Sequence, residues 1–440
     1  MKKVTLLLLS FSTTIQILHG QQTFTLQQAQ DYAIKNANSV TQSKYDEELA
    51  KIQIDQLLAI GLPQLNGSVQ FQNFLNLPTS IIPGAIFGAP GQDVKVQFGV
   101  PYQMTAGVAG SQLLFDGAWL IGLQASKEYS QLAAMQVKKS EFEIKHQIAQ
   151  SYYLAVIAKE SILLFQEGKK LLAKSLQDTK ALNKEGFVDE QSIDQLQYAI
   201  NEWESKIIVA ESNATLTLDI LKFNMGMPLS NEIDLSDNSS SLTALSSNAL
   251  MDAKFVVENN VDVQLVNKAI GLQGLNLKSK KASRLPSLAG FYNLQTQALR
   301  REFDFANTKK QWFPVQLWGI QMNVPILSGG AKYNAIKRAE VELAQMSATS
   351  KMVKEGATLA FKNAQTAYLT ASKSVENAKA SLALANKIFE KTNLKFTEGI
   401  GTSFELTQVN NQILQAQGAY VQALLQLLNA QDQLQKAINQ

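Results

Sequence analysis

No cysteine occurs among the 440 residues, which excludes disulfides, zinc–thiolate sites and a cysteine-borne lipid in this stretch. Histidine is nearly as scarce, with only His19 and His146. A G-x-x-x-x-G-K-[ST] phosphate loop is also missing, because Gly168–Lys169 lacks the upstream glycine. These gaps leave catalysis and nucleotide-driven work without residues to carry them, so the chain reads as no enzyme and as needing no cofactor or metal. The charge is close to balanced at +3. No basic stripe with interleaved aromatics occurs, and nucleic acid is not expected as a partner. Past the first twenty residues no run of about twenty apolar residues appears, so no transmembrane helix is expected. Proline and glycine are absent from long tracts: from Ala125 to Lys184 Gly168 stands alone, and neither residue returns between Ser192 and Gly226.

What is present begins with Lys2 and Lys3, an apolar stretch from Val4 to Leu18, and polar residues from His19 to Gln22. That order predicts a cleaved export signal over 1–21, whose loss would remove His19. Four landmarks then recur in order. LPQLNG at 62–67 returns as LPSLAG at 285–290, LLFDG at 113–117 as PILSGG at 325–330, AQSYYL at 149–154 as AQTAYL at 364–369, and KEGF at 184–187 as TEGI at 397–400. This is a tandem duplication: repeat 1 over 22–228, a Gly/Pro/Ser-bearing linker over 229–247, and repeat 2 over 248–440.

Each copy predicts helix, strand, loop, strand, long helix, turn and return helix. In repeat 1 the helix falls near 25–60, the strands near 62–74 and 94–115, the long helix at 120–184 and the return helix at 190–224. In repeat 2 the helix falls near 248–283, the strands near 285–297 and 315–327, the long helix at 331–397 and the return helix at 402–437.

The strand segments alternate with period two. Val94, Val96, Phe98, Val100, Tyr102, Met104, Ala106 and Val108 share one face, opposite Lys95, Gln97, Gly99, Gln103 and Thr105. Trp318, Ile320, Met322, Val324 and Ile326 oppose Gly319, Gln321 and Asn323. A soluble hairpin packed on its own helices fits this pattern. So does a membrane strand with outward apolar residues, which also explains Trp318 and Tyr102 as interfacial aromatics. Four membrane strands cannot close a barrel alone, since about eight is the minimum, so several chains would have to share one. In the long helix Ile148, Tyr152, Ala155, Ile162, Phe165, Leu172 and Leu176 form a coiled-coil seam. His146 is expected on the surface or in the seam of that helix. Of the loops between strands, 75–93 is apolar and is expected to pack as a surface lid, and 298–312 is charged.

Taken together, the export signal, the duplicated layout, the LP-x-L-x-G strand starts, the DG strand end and the E-G turns resemble the TolC-type outer-membrane efflux channels. The resemblance implies an α+β membrane protein: a homotrimer with a twelve-stranded β-barrel in the outer membrane, four strands per chain, continued by a long α-helical coiled-coil barrel into the periplasm. It implies a passive exit channel of a tripartite efflux or secretion system, with a periplasmic adaptor, an inner-membrane pump and outer-membrane lipid as partners.

The same resemblance places the two E-G turns at the periplasmic tip, with Gly186, Gly399 and Gly401 as turn residues and Glu405, Asp194, Asp189 and Glu190 as gate candidates. Glu405 sits six residues past Gly399, where relatives place an acid. In the first copy that position is Ser192, with Asp194 two residues on. Helix capping explains these acids equally well, since Thr402-x-x-Glu405 is a capping box and Asp189 suits an N-cap. Two rival readings are a soluble periplasmic coiled-coil adaptor or spacer, and an exported enzyme on a helical scaffold.

Overall fold

The structure is a computed structural model describing residues 22–88, 91–244 and 254–439. The expected export signal, and the first residues expected for the opening helix of repeat 2, lie outside the described residues. In chain order the elements are β1 (Gln22–Phe24), α1 (Leu26–Asn36), α2 (Asn38–Gly61), β2 (Gln64–Asn73), β3 (Thr79–Pro83), β4 (Asp93–Gln97), β5 (Tyr102–Phe115), α3 (Gly117–Lys184), α4 (Glu190–Met225), β6 (Ile233–Leu235), α5 (Ser239–Ala244), α6 (Val261–Ala282), β7 (Ser287–Arg300), β8 (Phe313–Asn323), α7 (Ala331–Thr397) and α8 (Ser403–Asn439). Two compact units result, and each takes segments from both halves of the chain.

The first unit comprises residues up to Lys44, 136–263 and 353 onward. Its helices pack through three apolar clusters. One joins α1, β1, β6 and α5 to Ile148, Tyr152 and Ala155 of α3 and Leu428 of α8. A second gathers Leu172 and Leu176 of α3, Trp203 of α4, Phe389 and Phe396 of α7 and Leu406 of α8. The third lies between α7 and α8 around Tyr368 and Leu434. Trp203 is fully buried and donates its indole N–H to Asn410 Oδ1 at 2.9 Å. At about 150–250 Å² of buried surface its gross contribution is about 4–6 kcal/mol. The most apolar window of α3 reaches a mean hydropathy of 1.2, and half of it is buried within the protein, which its place in these clusters explains.

Three sequence expectations need correction here. The helix expected over 25–60 is two helices. Thr25 and Gln28 form a capping box that starts α1, and Ala37, extended at ψ 134°, ends it before α2 begins. The linker expected over 229–247 carries structure: β6 pairs in parallel with β1, and α5 buries Leu242. Asp237 fixes that junction by accepting from Leu26 N–H at 2.8 Å and lying 2.9 Å from the Tyr152 hydroxyl. Burial first, and then Asp237, raise the Tyr152 phenol well above its ordinary value. The helix expected to open repeat 2 at 248 starts at Val261, where Asn260 Oδ1 accepts from the amides of Asp262 and Val263 at 3.0 and 3.2 Å.

The second unit comprises 45–135 and 264–352. Its centre is a four-stranded antiparallel sheet in the order β2-β5-β7-β8. The continuous strand expected over 94–115 is broken. Gly99 at φ 106° and Pro101 separate β4 from β5, and β4 pairs with β3 in a separate two-stranded hairpin. That hairpin leaves Leu75, Ile81 and Ile86 exposed, so the described residues of 75–93 do not form the packed lid expected there. The last strand, expected to reach 327, stops at Asn323, and Val324 and Ile326 fall beyond it.

Candidate functional site

The two turns between long and return helices are built alike. Beyond α3, Gly186 takes φ 78°, its N–H reaches Asn183 O at 2.9 Å, and Phe187 N–H reaches Leu182 O at 2.9 Å. Beyond α7, Gly399 takes φ 76°, its N–H reaches Phe396 O at 3.1 Å, and Ile400 N–H reaches Lys395 O at 3.0 Å. Both are Schellman motifs, which need a left-handed residue at the position each glycine holds. Gly401 adds a third bond to Lys395 O at 3.0 Å.

The acids of these turns divide by role. Asp189 is the N-cap of α4, accepting from Ser192 N at 3.0 Å and Ser192 Oγ at 2.6 Å. The Ser192 hydroxyl, and then its amide, hold Asp189 below the usual carboxylate range. Because the folded value is the depressed one, this cap is intact above the ordinary carboxylate range and is lost as pH falls through the folded value. Glu405 closes a capping box: its N–H meets Thr402 Oγ1 at 3.2 Å and its carboxylate meets Thr402 N–H at 3.4 Å. Glu190 and Asp194 are exposed on the first turns of α4. Ser192 is buried, and its Oγ lies 3.0 Å from Ser403 Oγ, which in turn reaches Gln195 Oε1 at 2.9 Å. The two turns are therefore joined by hydroxyls that sequence reasoning passed over, since neither serine carries a local signal for a partner more than 200 residues away. The structure also leaves Phe187, Ile400 and Phe404 exposed there.

In the sheet, the cross-strand register aligns Leu65 with Gly110, Gly110 with Tyr292, and Tyr292 with Trp318 on one face. Val69, Ala106 and Phe71, Met104, Ala298 form further rows of that face. The opposite face carries Gln64, Asn66, Ser68, Gln70, Thr105, Gln295, Gln297 and Gln321, interrupted by Phe291, Val315 and Leu317. Trp318 is the central residue of β8 and is 77 % exposed. Tyr102 opens β5 and joins Phe71, Phe303 and Phe305 in a cluster with ring centroids 5.6 to 6.4 Å apart. The buried Arg300 holds the 301–312 loop in place, donating to the carbonyls of Gln311 and Lys310 at 3.2 Å and pairing with Asp304 at 3.4 Å. The outer strands β2 and β8 each pair on one side only.

Residues 256–440 match the family described as outer membrane efflux protein. The fold is that of solved TolC-type channels. It resembles CusC, described in connection with transmembrane channel formation, at TM-score 0.75 and 14% identity over 94% of this chain and 91% of that one. It resembles the Campylobacter jejuni outer membrane channel CmeC at TM-score 0.70 and 16% identity over 94% and 85%. It resembles the Vibrio cholerae outer membrane protein VceC at TM-score 0.71 and 13% identity over 94% and 96%. No curated protein sequence matches the chain.

Proposed function

We propose that this protein is the passive outer-membrane exit channel of a tripartite efflux or secretion system, working with a periplasmic adaptor and an inner-membrane pump. The observation that carries the reading is the sheet. Its apolar face is exposed, and both outer strands keep an unpaired edge. In a bilayer no open edge is tolerated, so the edges must be met by another strand. With an even number of antiparallel strands, β8 of one copy runs antiparallel to β2 of the next, and the ring closes without a parallel pair. Two copies supply only the minimum of about eight strands, which leaves no room for a conduit, so three copies and twelve strands are favoured. Native mass spectrometry of the detergent-extracted protein is expected to show three chains; a single chain with no larger species overturns this reading.

The aromatic levels support the same placement. Along β5, Tyr102 and the level of Trp318 at Gly110 are eight residues apart. That is about 26 Å along the strand, or roughly 20 Å along the normal at the ~40° tilt of such barrels, near the height of a lipid-facing band. We place the two capped turns at the periplasmic mouth. Repeated by threefold symmetry, Glu405 and Asp194 would give rings of carboxylates that favour cations. Recording Glu405→Gln in a planar bilayer is expected to lower the cation-to-anion permeability ratio; an unchanged ratio removes Glu405 from that role. The soluble-adaptor alternative is disfavoured by the apolar sheet face, which such a protein would have to cover.

A further inference from the structure

The two copies of the duplicated layout differ sharply in charge where helix meets strand. In the first copy, 52–63 and 117–126 contain no lysine or arginine. In the second, Lys278, Lys280, Lys281 and Arg284 crowd the end of α6, and all four are exposed. Facing them at the start of α7 are Lys332, Lys337 and Arg338. The two groups are held together, because Lys281 and Lys337 share Glu340 at 3.7 and 3.5 Å, and Lys332 Nζ donates to Ser283 O. Glu342 takes Arg338 at 2.8 Å. Two carboxylates thus face seven cations, and Lys278 and Arg284 have no carboxylate partner among the described residues.

This concentration of charge is not needed to build the junction, since the first copy makes the same helix-to-strand passage without it. Beside it lies exposed apolar surface: Ile326 and Leu327, between β8 and α7, are 93% and 91% exposed, and Leu285 is half exposed. An apolar belt followed at once by flexible cations is the arrangement that meets the acyl chains and the headgroups of a lipid leaflet together. A polyanion in solution would use the charge but not the belt. We infer that this junction is a docking surface for anionic phospholipid headgroups of the leaflet bordering the helical side of the sheet. The inference rests on the membrane placement of the sheet proposed above.

The full-length protein would be reconstituted in equimolar phosphatidylglycerol and phosphatidylethanolamine and extracted mildly. Retained lipids would then be counted by native mass spectrometry. Wild type is expected to favour phosphatidylglycerol by about five-fold, as several cations near an anionic surface would give. The variant Lys281→Gln/Arg284→Gln/Lys337→Gln is expected to lose most of that preference. Lys281→Arg/Lys337→Arg should keep it, as should Lys362→Gln/Lys373→Gln/Lys387→Gln on the more distant part of α7. Equal retention of the two lipids by wild type, or an undiminished preference in the triple glutamine variant, overturns the inference while leaving the membrane placement intact. Retention of no lipid at all overturns both.

Discussion

Gly226→Ala is expected to destabilise the helical unit by about 2–5 kcal/mol, combining left-handed strain with overpacking. Gly226 sits at φ 73°, and its N–H and that of Met227 close the end of α4 on Phe223 O and Lys222 O at 3.0 and 2.9 Å. An added Cβ would lie 2.3 Å from Asn36 O and 3.1 Å from Ala37 Cα. Those are backbone atoms at the end of α1, so no rotamer change relieves the clash. The α1 end would have to move, and α1 carries Ala29 and Ala33 into the core around Tyr152. Gly356→Ala, on α7 with open space around its Cβ position, is the control and should be neutral or slightly stabilising. Denaturant unfolding of the full chain in detergent, followed by far-ultraviolet circular dichroism, measures both. Equal midpoints for the two variants would falsify the account of this junction.

His146→Ala should cost about 1–3 kcal/mol, the usual result of leaving a buried hydrogen-bonding group without its partner. His146 on α3 meets Asp432 Oδ1 on α8 at 2.7 Å, and the Asp432 side chain is 3% exposed. Its second oxygen, Oδ2, has no other partner among the described residues. The Phe142 ring packs against the imidazole at 4.4 Å between centroids, which holds it in place. Without the imidazole, the buried Asp432 side chain loses the one partner that its Oδ1 has among the described residues, and Oδ2 supplies no other. The double variant His146→Leu/Asp432→Leu removes both polar groups and is expected to recover most of the loss. If the single variant unfolds at the wild-type midpoint, or the double variant is as weak as the single, the pair does not tie α3 to α8.

Sequence reasoning reached features written in local chemistry. A glycine closing a long helix, followed by Asp189 or by Thr402-x-x-Glu405, contains its own hydrogen-bond partners, and the caps are present at those residues. The α3 seam through Ile148, Tyr152 and Leu172 was legible from spacing alone, because burial follows the helical period. What escaped depended on distant partners or on a single backbone bend. The alternation from Val94 to Val108 keeps its period through Gly99 and Pro101, so periodicity could not reveal that the chain leaves one sheet and enters another. Residues Ile233–Leu235 look like linker until Gln22–Phe24 is available to pair with them. His146 carries no mark of Asp432, 286 positions away, and Ser192 none of Ser403. Phe303 and Phe305 lie in a charged loop, and nothing short of the fold brings them to Phe71 and Tyr102.

The proposed conduit through a bilayer rests on the exposed apolar face between the Tyr102 and Trp318 levels, the unpaired edges of β2 and β8, and the match of 256–440 to outer membrane efflux proteins. The most direct test is the ionic current carried by the purified wild-type protein in a planar bilayer. The account predicts discrete, uniform conductance steps as protein is added. A current that stays at baseline, with the protein shown by flotation to be held in the lipid, would contradict it.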